Sequence, residues 1–241
     1  MEQKHTGIVL RTVKYNDTSV IVDLYTAESG RLSLLASIPR SRKSLVRTSL
    51  FQPLAILEVE TSTRSAGMLS RIREARVALP LLDLPFHPHK SAIALFLAEF
   101  IHRAIREEEA NLPLFAYLQH AICWLDACRT SFANFHLVFL LRLSRFIGLW
   151  PNTEDYQDGD WFDLYNACFV HQRPTHAAIL PPDEAKAVRH LMRMNFDTMH
   201  LFAMNHHQRN RCLEVILNYY RLHLPGLPEL KSVGVLQELF S

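Results

Sequence analysis

The chain has 241 residues, of which 49% are hydrophobic and 21% are charged, and its formal net charge is +2 at pH 7. This composition lies outside the polar, highly charged range of disordered proteins, so it predicts a folded chain with a sizeable core. Four cysteines are too few for a disulfide framework at this length, and we expect reduced thiols. No signal-type segment opens the chain, and charged residues or His interrupt every apolar run before the ~20 residues of a bilayer span. These features predict a soluble, cytoplasmic protein.

The small net charge hides an asymmetry along the chain. Residues 1–79 contain 12 Lys and Arg against 7 Asp and Glu, whereas residues 80–241 contain 14 against 17. The field near a surface is set by charges within a screening length of about 10 Å, so a local cluster indicates the partner better than the average does. A basic first part favours a polyanionic partner, and the change of pattern near Pro80 predicts two domains, 1–80 and 81–241.

The first domain is predicted to consist of strands. Its apolar residues alternate with polar ones, and turn signals separate five segments: 7–15, 19–25, 31–37, 50–61 and 68–79. Five strands in about 75 residues, with a long excursion after the third, predict a five-stranded Greek-key barrel of the OB type. An up-and-down sandwich is the alternative.

From His89 onward the apolar period changes to about 3.6 residues, which predicts helices. The predicted helices cover 89–110, a segment that starts at Pro113, 134–149, a segment that starts at Asp183, 208–224 and 232–240. The helix 134–149 has almost no polar face, so we expect it in the middle of a bundle. Residues 150–182 break the period and predict a packed irregular insert. The fold class is therefore α+β, with an N-terminal barrel and a helical second domain.

No motif for catalysis is visible. The chain lacks a phosphate-binding Gly-rich loop, a nucleophile elbow of the Gly-x-Ser-x-Gly type and a His-Glu-x-x-His sequence. We therefore predict a protein that is not an enzyme and needs no cofactor. Two other classes stay open: an interaction scaffold without nucleic-acid binding, and a metal-dependent hydrolase that uses the histidine-rich helices.

Two clusters could suggest metal sites. Four acidic residues of the insert resemble a calcium loop in composition but lack its order of ligands; they are Asp155, Asp158, Asp160 and Asp163. Four residues near the C-terminus could suggest zinc but lack the paired spacing of a structural site; they are His200, His206, His207 and Cys212. A solvated acidic loop and surface histidines are the simpler interpretations, and we predict no metal site.

The basic residues of the first domain form the strongest candidate site. Cations that follow phosphates, combined with nearby aromatic rings, are typical of OB barrels that bind single strands. The candidate nucleic-acid contacts are Lys14, Arg31, Arg40, Arg42, Lys43, Arg47, Arg71 and Arg73. The alternative is that these charges only keep the exterior of the barrel soluble.

Arg142 and Arg145 form a second candidate site. They are three residues apart on the apolar helix 134–149, where a desolvated guanidinium needs a carboxylate partner. An internal partner such as Glu99 is one interpretation. The other is that an apolar groove beside this helix accepts an acidic peptide of another protein through these arginines.

Several short motifs, in order and spacing, carry a resemblance to a known family. They include Gly7-Ile8-Val9-Leu10, Tyr15-Asn16-Asp17, Glu28-Ser29-Gly30-Arg31-Leu32, Arg40-Ser41-Arg42-Lys43, Phe51-Gln52-Pro53-Leu54, Leu143-Ser144-Arg145-Phe146-Ile147-Gly148-Leu149-Trp150-Pro151-Asn152 and Lys231-Ser232. The chain resembles the RecO-type DNA repair and recombination mediators over nearly its whole length.

This resemblance implies an OB barrel, a helical domain and no chemical turnover. It implies binding to single- and double-stranded DNA, annealing of complementary strands and a location with the bacterial nucleoid. It also implies protein partners: RecR, the acidic tail of the single-stranded-DNA-binding protein and, indirectly, RecA. Many members carry a four-cysteine zinc motif after the central helix, but this segment of the chain contains a single cysteine, Cys168. We therefore expect aromatic packing by Trp161, Phe162, Tyr165 and Phe169 in place of the metal.

Overall fold

A computed structural model describes residues 2–38, 48–62, 69–106 and 108–239. The chain forms two compact units. The first comprises residues 1–127 with 230–239, and the second comprises residues 128–229. Within the described ranges, no helix is both long enough and apolar enough to cross a bilayer.

Five strands of the first unit close into a barrel. They are β1 (Glu2–Asn16), β2 (Ser19–Thr26), β3 (Gly30–Ser37), β4 (Ile56–Ser62) and β5 (Arg71–Leu79). Their order around the barrel is β1-β2-β3-β5-β4, and every pair is antiparallel except β3 with β5. The predicted α+β class with a five-stranded OB-type barrel is confirmed.

The barrel is filled by the apolar side chains that alternate along its strands. The core residues are Val9, Val22, Leu24, Leu34, Ala36, Phe51, Leu57, Val59, Ile72 and Ala75. Strand β4 begins later than predicted, because residues 48–50 form a 3₁₀ turn and Leu54 adopts a φ of 62°. A residue in the left-handed region cannot continue a strand, so extended pairing starts only at Ile56.

A bulge in β1 places one extra residue on the barrel wall. The register with β2 shifts between Val9, opposite Leu24, and Arg11, opposite Asp23. Leu10 lies between them and is 4% exposed, so two consecutive residues of the strand, Val9 and Leu10, are both buried. A bulge breaks the two-residue alternation in this way, and it turns the side chain of Arg11 to the exterior.

Six α-helices follow the barrel in the part of the chain that the structure describes. They are α1 (Pro88–Ala104), α2 (Leu112–Ala127), α3 (Phe135–Leu143), α4 (Pro182–Arg193), α5 (His206–His223) and α6 (Ser232–Leu239). In the first unit, α1 packs against β1 and α6. Its buried residues Ile93, Phe96, Phe100 and Ile101 recur at helical spacing, as predicted.

A buried lysine joins α1 to the segment before it and to the end of α2. The ammonium of Lys90 is fully buried, lies 2.7 Å from the Asp83 carboxylate and donates a hydrogen bond to the Asp126 carbonyl oxygen. The Asp126 carboxylate accepts hydrogen bonds from the backbone N–H groups of residues 82–84. Burial opposes ionisation of Asp126, but these hydrogen bonds outweigh it and lower the pKa of Asp126.

A second buried polar cluster joins α1 to the barrel. The Asp23 carboxylate on β2 lies 2.9 Å from His102 Nε2 on α1 and accepts a hydrogen bond from the Ser33 hydroxyl on β3. Both Asp23 and His102 are at most 6% exposed. Burial alone would raise the pKa of Asp23, but the hydrogen bonds from His102 and Ser33 outweigh it and lower that pKa.

In the second unit, α3 packs with α4 and α5, and seven of the nine residues of α3 are buried. The hydroxyl of Tyr220 on α5 donates a hydrogen bond to the Leu140 carbonyl oxygen. The prediction that this helix runs to Leu149 is wrong. After Leu143 the backbone tightens into i−3 hydrogen bonds at Arg145 and Phe146, so the α-helical ladder ends there.

The prediction of an irregular insert at 150–182 needs a similar correction. The segment contains three short strands, β6 (Trp161–Asp163), β7 (Cys168–Val170) and β8 (Ile179–Leu180), in the order β7-β6-β8. Phe162 and Phe169 pack edge to face at 5.0 Å in a core that Leu180 and the helices α4 and α5 complete. Strands of two or three residues are too short to produce a visible alternation in the sequence.

We expect Asp23→Asn to destabilise the folded protein by about 3 kcal/mol at pH 7, because the substitution removes one charge from a buried, hydrogen-bonded group. The folded-state pKa of Asp23 is depressed, so its stabilisation is present above the unfolded pKa of about 3.9 and is lost as the pH falls through the folded pKa. Urea unfolding of wild type and variant from pH 7 to pH 3 should show the difference shrinking below about pH 4.

The matched control is Asp17→Asn, whose carboxylate is 86% exposed and should change stability by less than about 0.5 kcal/mol. Equal stability of the wild type and Asp23→Asn at pH 7 would contradict the assigned role of the cluster.

Candidate nucleic-acid interface

Four of the predicted DNA contacts belong to the basic loop after β3. Arg40, Arg42, Lys43 and Arg47 lie outside the described residues. The described chain ends on one side of this loop at Ile38, whose backbone N–H donates a hydrogen bond to the Thr18 carbonyl oxygen. The position where the loop leaves the barrel is therefore fixed.

Arg71 lies beside that position. It is the first residue of β5, and the parallel pairing of β3 with β5 sets it opposite Leu35. The backbone N–H of Leu35 donates a hydrogen bond of 2.9 Å to the Ser70 carbonyl oxygen. The side chain of Arg71 is exposed and forms no salt bridge with a described residue. Barrel closure thus brings one predicted cation next to the strand that carries the basic loop.

The other cations of this part of the barrel are paired with carboxylates on its exterior. Arg73 forms a salt bridge with Glu2, Arg76 forms one with Glu58, and Lys4 lies 2.8 Å from Glu60. The hydrogen bond from Lys4 lowers the pKa of Glu60. Exposed pairs of this kind contribute little to stability, but they neutralise the charges of Lys4, Arg73 and Arg76 on this exterior. Arg73, a predicted contact, is one of these paired cations.

Arg31 is directed towards helix α1. Its guanidinium donates a hydrogen bond of 3.3 Å to the His102 carbonyl oxygen and has a nitrogen 3.0 Å from His102 Nε2. Half-buried and next to the Asp23–His102 pair, it supplies a positive charge to that cluster. Arg31 therefore contributes to the packing of α1 on the barrel, and its role as a DNA contact stays a prediction.

Lys14 lies near the end of β1 and is exposed. Its ammonium lies 2.9 Å from the Asp17 carboxylate, three residues further along the same hairpin. Tyr15 beside it is 62% exposed, as an aromatic ring available for stacking would be. A surface pair can exchange its carboxylate for a phosphate at low cost, so Lys14 stays a predicted contact.

The two arginines predicted to bind a partner have different roles. Arg142, half-buried on α3, donates two hydrogen bonds of 3.2 and 2.7 Å to the Met194 carbonyl oxygen at the C-terminal end of α4. Arg145 follows the end of α3 and is exposed, with its guanidinium 3.8 Å above the Trp150 ring. They do not share a helix face, because α3 ends between them.

Glu99, the internal partner considered for these arginines, is engaged in the first unit. Its carboxylate accepts hydrogen bonds from the backbone N–H groups of Lys231 and Ser232 and from the Ser232 hydroxyl at the start of α6. Burial opposes ionisation of Glu99, but these donors outweigh it and lower the pKa of Glu99.

Three of the four acidic residues considered in the insert, Asp158, Asp160 and Asp163, accept hydrogen bonds from donors of the protein. The Asp163 carboxylate accepts hydrogen bonds from the backbone N–H groups of Tyr165 and Asn166, and His176 lies 3.2 Å from it. These bonds close the β6–β7 turn, where the four-cysteine motif would lie. Of the four aromatic residues expected to replace it, Phe162 and Phe169 are buried, whereas Tyr165 is 53% exposed and Trp161 is half-buried.

Within the described ranges, no three His, Cys, Asp or Glu side chains converge as metal ligands would. Burial raises the pKa of the Cys212 thiol to about 11, which opposes formation of the thiolate that zinc requires. Burial, with the nearby charge of Arg209, also lowers the pKa of His136 to about 3.

Three exposed cations that no sequence motif indicates lie together in the first unit. Arg11 on β1, Arg103 on α1 and Lys231 before α6 line one groove. Their positions in the chain are 92 and 128 residues apart, so no local spacing signals their proximity. Only the packing of α1 and α6 with the barrel brings them together.

A closed OB-type barrel with exposed cations beside a strand end, followed by a helical unit, is an architecture that nucleic-acid-binding proteins use. Comparison with known families agrees. The model for the N-terminal part of recombination protein O matches residues 1–80, and the model for its C-terminal part matches residues 85–232. The chain therefore belongs to the RecO family of DNA repair proteins.

Relatives of the whole chain carry the same description. The DNA repair protein RecO of Phocaeicola vulgatus is 61% identical over 241 residues, which is 100% of both chains. That of Bacteroides fragilis strain ATCC 25285 is 59% identical over 241 residues, also with 100% of both chains covered. That of Porphyromonas gingivalis is 36% identical, with 97% of each chain covered. Family membership supports a role in DNA repair and recombination.

Proposed function

We propose that this protein is a recombination mediator that binds and anneals single-stranded DNA and helps RecA load onto DNA coated by single-stranded-DNA-binding protein. It acts without chemical turnover, binds double-stranded DNA as well, and associates with the nucleoid through the DNA. The observation that carries the proposal is the position of Arg71, which barrel closure sets beside the strand that leads into the basic loop.

The proposed contacts are electrostatic. Arg40 follows Leu35 by five residues, so the chain between them spans at most about 17 Å. Arg71 lies opposite Leu35, so Arg40 can act on the same stretch of phosphates as Arg71, and we assign Arg42, Lys43 and Arg47 of the same loop to that stretch as well. Arg73 and Lys14 join them by exchanging a carboxylate for a phosphate. Contacts of this type read no bases, so binding is independent of sequence.

We assign the protein contacts of the mediator to the second unit. Arg145 is exposed over Trp150 and offers a cation beside an aromatic face, which suits the acidic tail of the single-stranded-DNA-binding protein. Arg142 supports this contact by fixing the end of α4 through the Met194 carbonyl oxygen. RecR is the proposed partner for delivery of RecA.

We expect the triple variant Arg40→Gln, Arg42→Gln, Lys43→Gln to weaken binding of single-stranded oligonucleotides of every sequence alike. Each lost phosphate contact removes about 0.7 from the slope of log affinity against log salt, so the slope should fall by about 2. Fluorescence anisotropy from 50 to 300 mM salt measures this slope.

Arg76→Gln is the matched control, because Arg76 is not among the proposed contacts and is paired with Glu58, and this variant should leave the slope unchanged. An unchanged slope in the triple variant would remove the basic loop from the site. Absence of any DNA binding by the wild type at low salt would favour the scaffold alternative.

The mediator activity has a separate test. Complementary oligonucleotides are coated with single-stranded-DNA-binding protein, either intact or without its acidic tail, and the rate of annealing is measured. We expect this protein to accelerate annealing severalfold with the intact coat and much less with the truncated coat, because the tail recruits it. Arg145→Ala should reduce the acceleration on the intact coat alone, whereas equal rates on both coats would contradict the proposed tail contact.

A further inference from the structure

A groove of about 580 Å³ lies in the first unit between β1, α1 and α6. Its floor is apolar: Leu10, supplied by the β1 bulge, Phe51 and Ala98 are each at most 4% exposed. Leu95 on α1 and Val235 on α6 also line the groove, and each is 43% exposed. Two aliphatic side chains from different helices thus leave apolar surface uncovered around one concave site.

The rim of the same groove is basic. Arg11, Arg103 and Lys231 are exposed, and none of their side chains forms a hydrogen bond or salt bridge with another described residue. This distinguishes them from Lys4, Arg73 and Arg76, whose charges carboxylates neutralise. An anionic partner gains more binding free energy from an unpaired cation than from a paired one, because no carboxylate of the same protein has to be displaced.

One acidic residue, Glu99, also lines the groove. Its carboxylate is held by the N–H groups of Lys231 and Ser232 and by the Ser232 hydroxyl, and Arg103 acts on it electrostatically. Because its hydrogen-bonding capacity is used at the start of α6, Glu99 fixes that helix instead of pairing with the rim cations. The Lys, Arg and Glu side chains that line the groove therefore have a net charge of +2, from three cations and one carboxylate.

We propose that this groove, the α1–α6 groove, binds a segment of a partner protein that combines apolar side chains with carboxylates. The apolar side chains would cover Leu95 and Val235, and the carboxylates would pair with Arg11, Arg103 and Lys231. This site consists of residues other than Arg145 and Trp150, and other than the basic loop, so it goes beyond the functions proposed above.

The chemistry of the floor favours a peptide over a nucleic acid. Single strands are held by aromatic faces on which bases stack, but the aromatic ring of the floor, Phe51, is 4% exposed and offers no face. Leu95 and Val235 present aliphatic surface, which matches apolar side chains of a peptide better than it matches a phosphate backbone.

The test uses the full chain and an array of labelled ten-residue peptides, each with four Asp and three Leu or Phe in varied order. We expect members of the array to bind with a Kd below about 100 μM at 50 mM salt. The variant Arg11→Gln, Arg103→Gln, Lys231→Gln should raise that Kd at least tenfold, because it removes all three rim charges. Arg193→Gln, which removes an exposed cation of α4, is the matched control and should leave the Kd unchanged.

The apolar half of the proposal has its own variant. Val235→Asp should raise the Kd at least tenfold, and array members with Ser in place of Leu and Phe should not bind. Affinity for a single-stranded oligonucleotide should stay within about twofold in both groove variants, which separates this site from the basic loop.

The proposal would be overturned if no array member binds the wild type, or if the variant of Arg11, Arg103 and Lys231 binds peptide as the wild type does. Loss of peptide binding in Arg145→Ala instead would also overturn it. If the variant of Arg11, Arg103 and Lys231 loses oligonucleotide binding but keeps peptide binding, the groove belongs to nucleic acid, and the proposal is overturned.

Discussion

The parallel pairing of β3 with β5 is the constraint on which the rest of the first unit depends. Leu35 lies opposite Arg71 and Ala36 opposite Ile72, and this short ladder closes a sheet that is otherwise antiparallel. Closure removes the free edges that a five-stranded sheet would expose. It also fixes where the basic loop leaves the barrel relative to the start of β5. A loop that carries four cations and a strand that begins with one are thereby joined at a single end of the barrel.

Charge pairing on the exterior decides which cations are available there. The excess of basic residues in the first 79 positions suggests a uniformly positive barrel, but Lys4, Arg73 and Arg76 each face a carboxylate. Among the described cations of β5, these pairs leave Arg71, next to the strand that leads into the basic loop, without a carboxylate partner. The Asp23–His102 cluster also holds α1 on the barrel, and α1 in turn supplies one side of the α1–α6 groove.

The sequence predicted the barrel and the helical class because strand and helix periods are local signals. It did not predict that Leu54 would delay β4 or that α3 would end at Leu143, since both depend on backbone geometry that several sequences can adopt. It did not predict the contact of Arg31 with His102, because the pattern of a strand does not distinguish a charged residue that faces solvent from one that contacts a helix. The three rim cations of the groove were missed because only tertiary packing unites them. The domain boundary at residue 80 and the contacts in the basic loop stay predictions.

Amide hydrogen exchange of the full chain, with and without a saturating single-stranded oligonucleotide at low salt, tests most directly whether DNA binds at the β3–β5 end of the barrel. We predict slower exchange on binding in peptides that cover residues 36–48 and 69–73. We predict no change in residues 56–62, which belong to the ion-paired exterior. Protection confined to residues 56–62, with none in residues 36–48, would contradict the account.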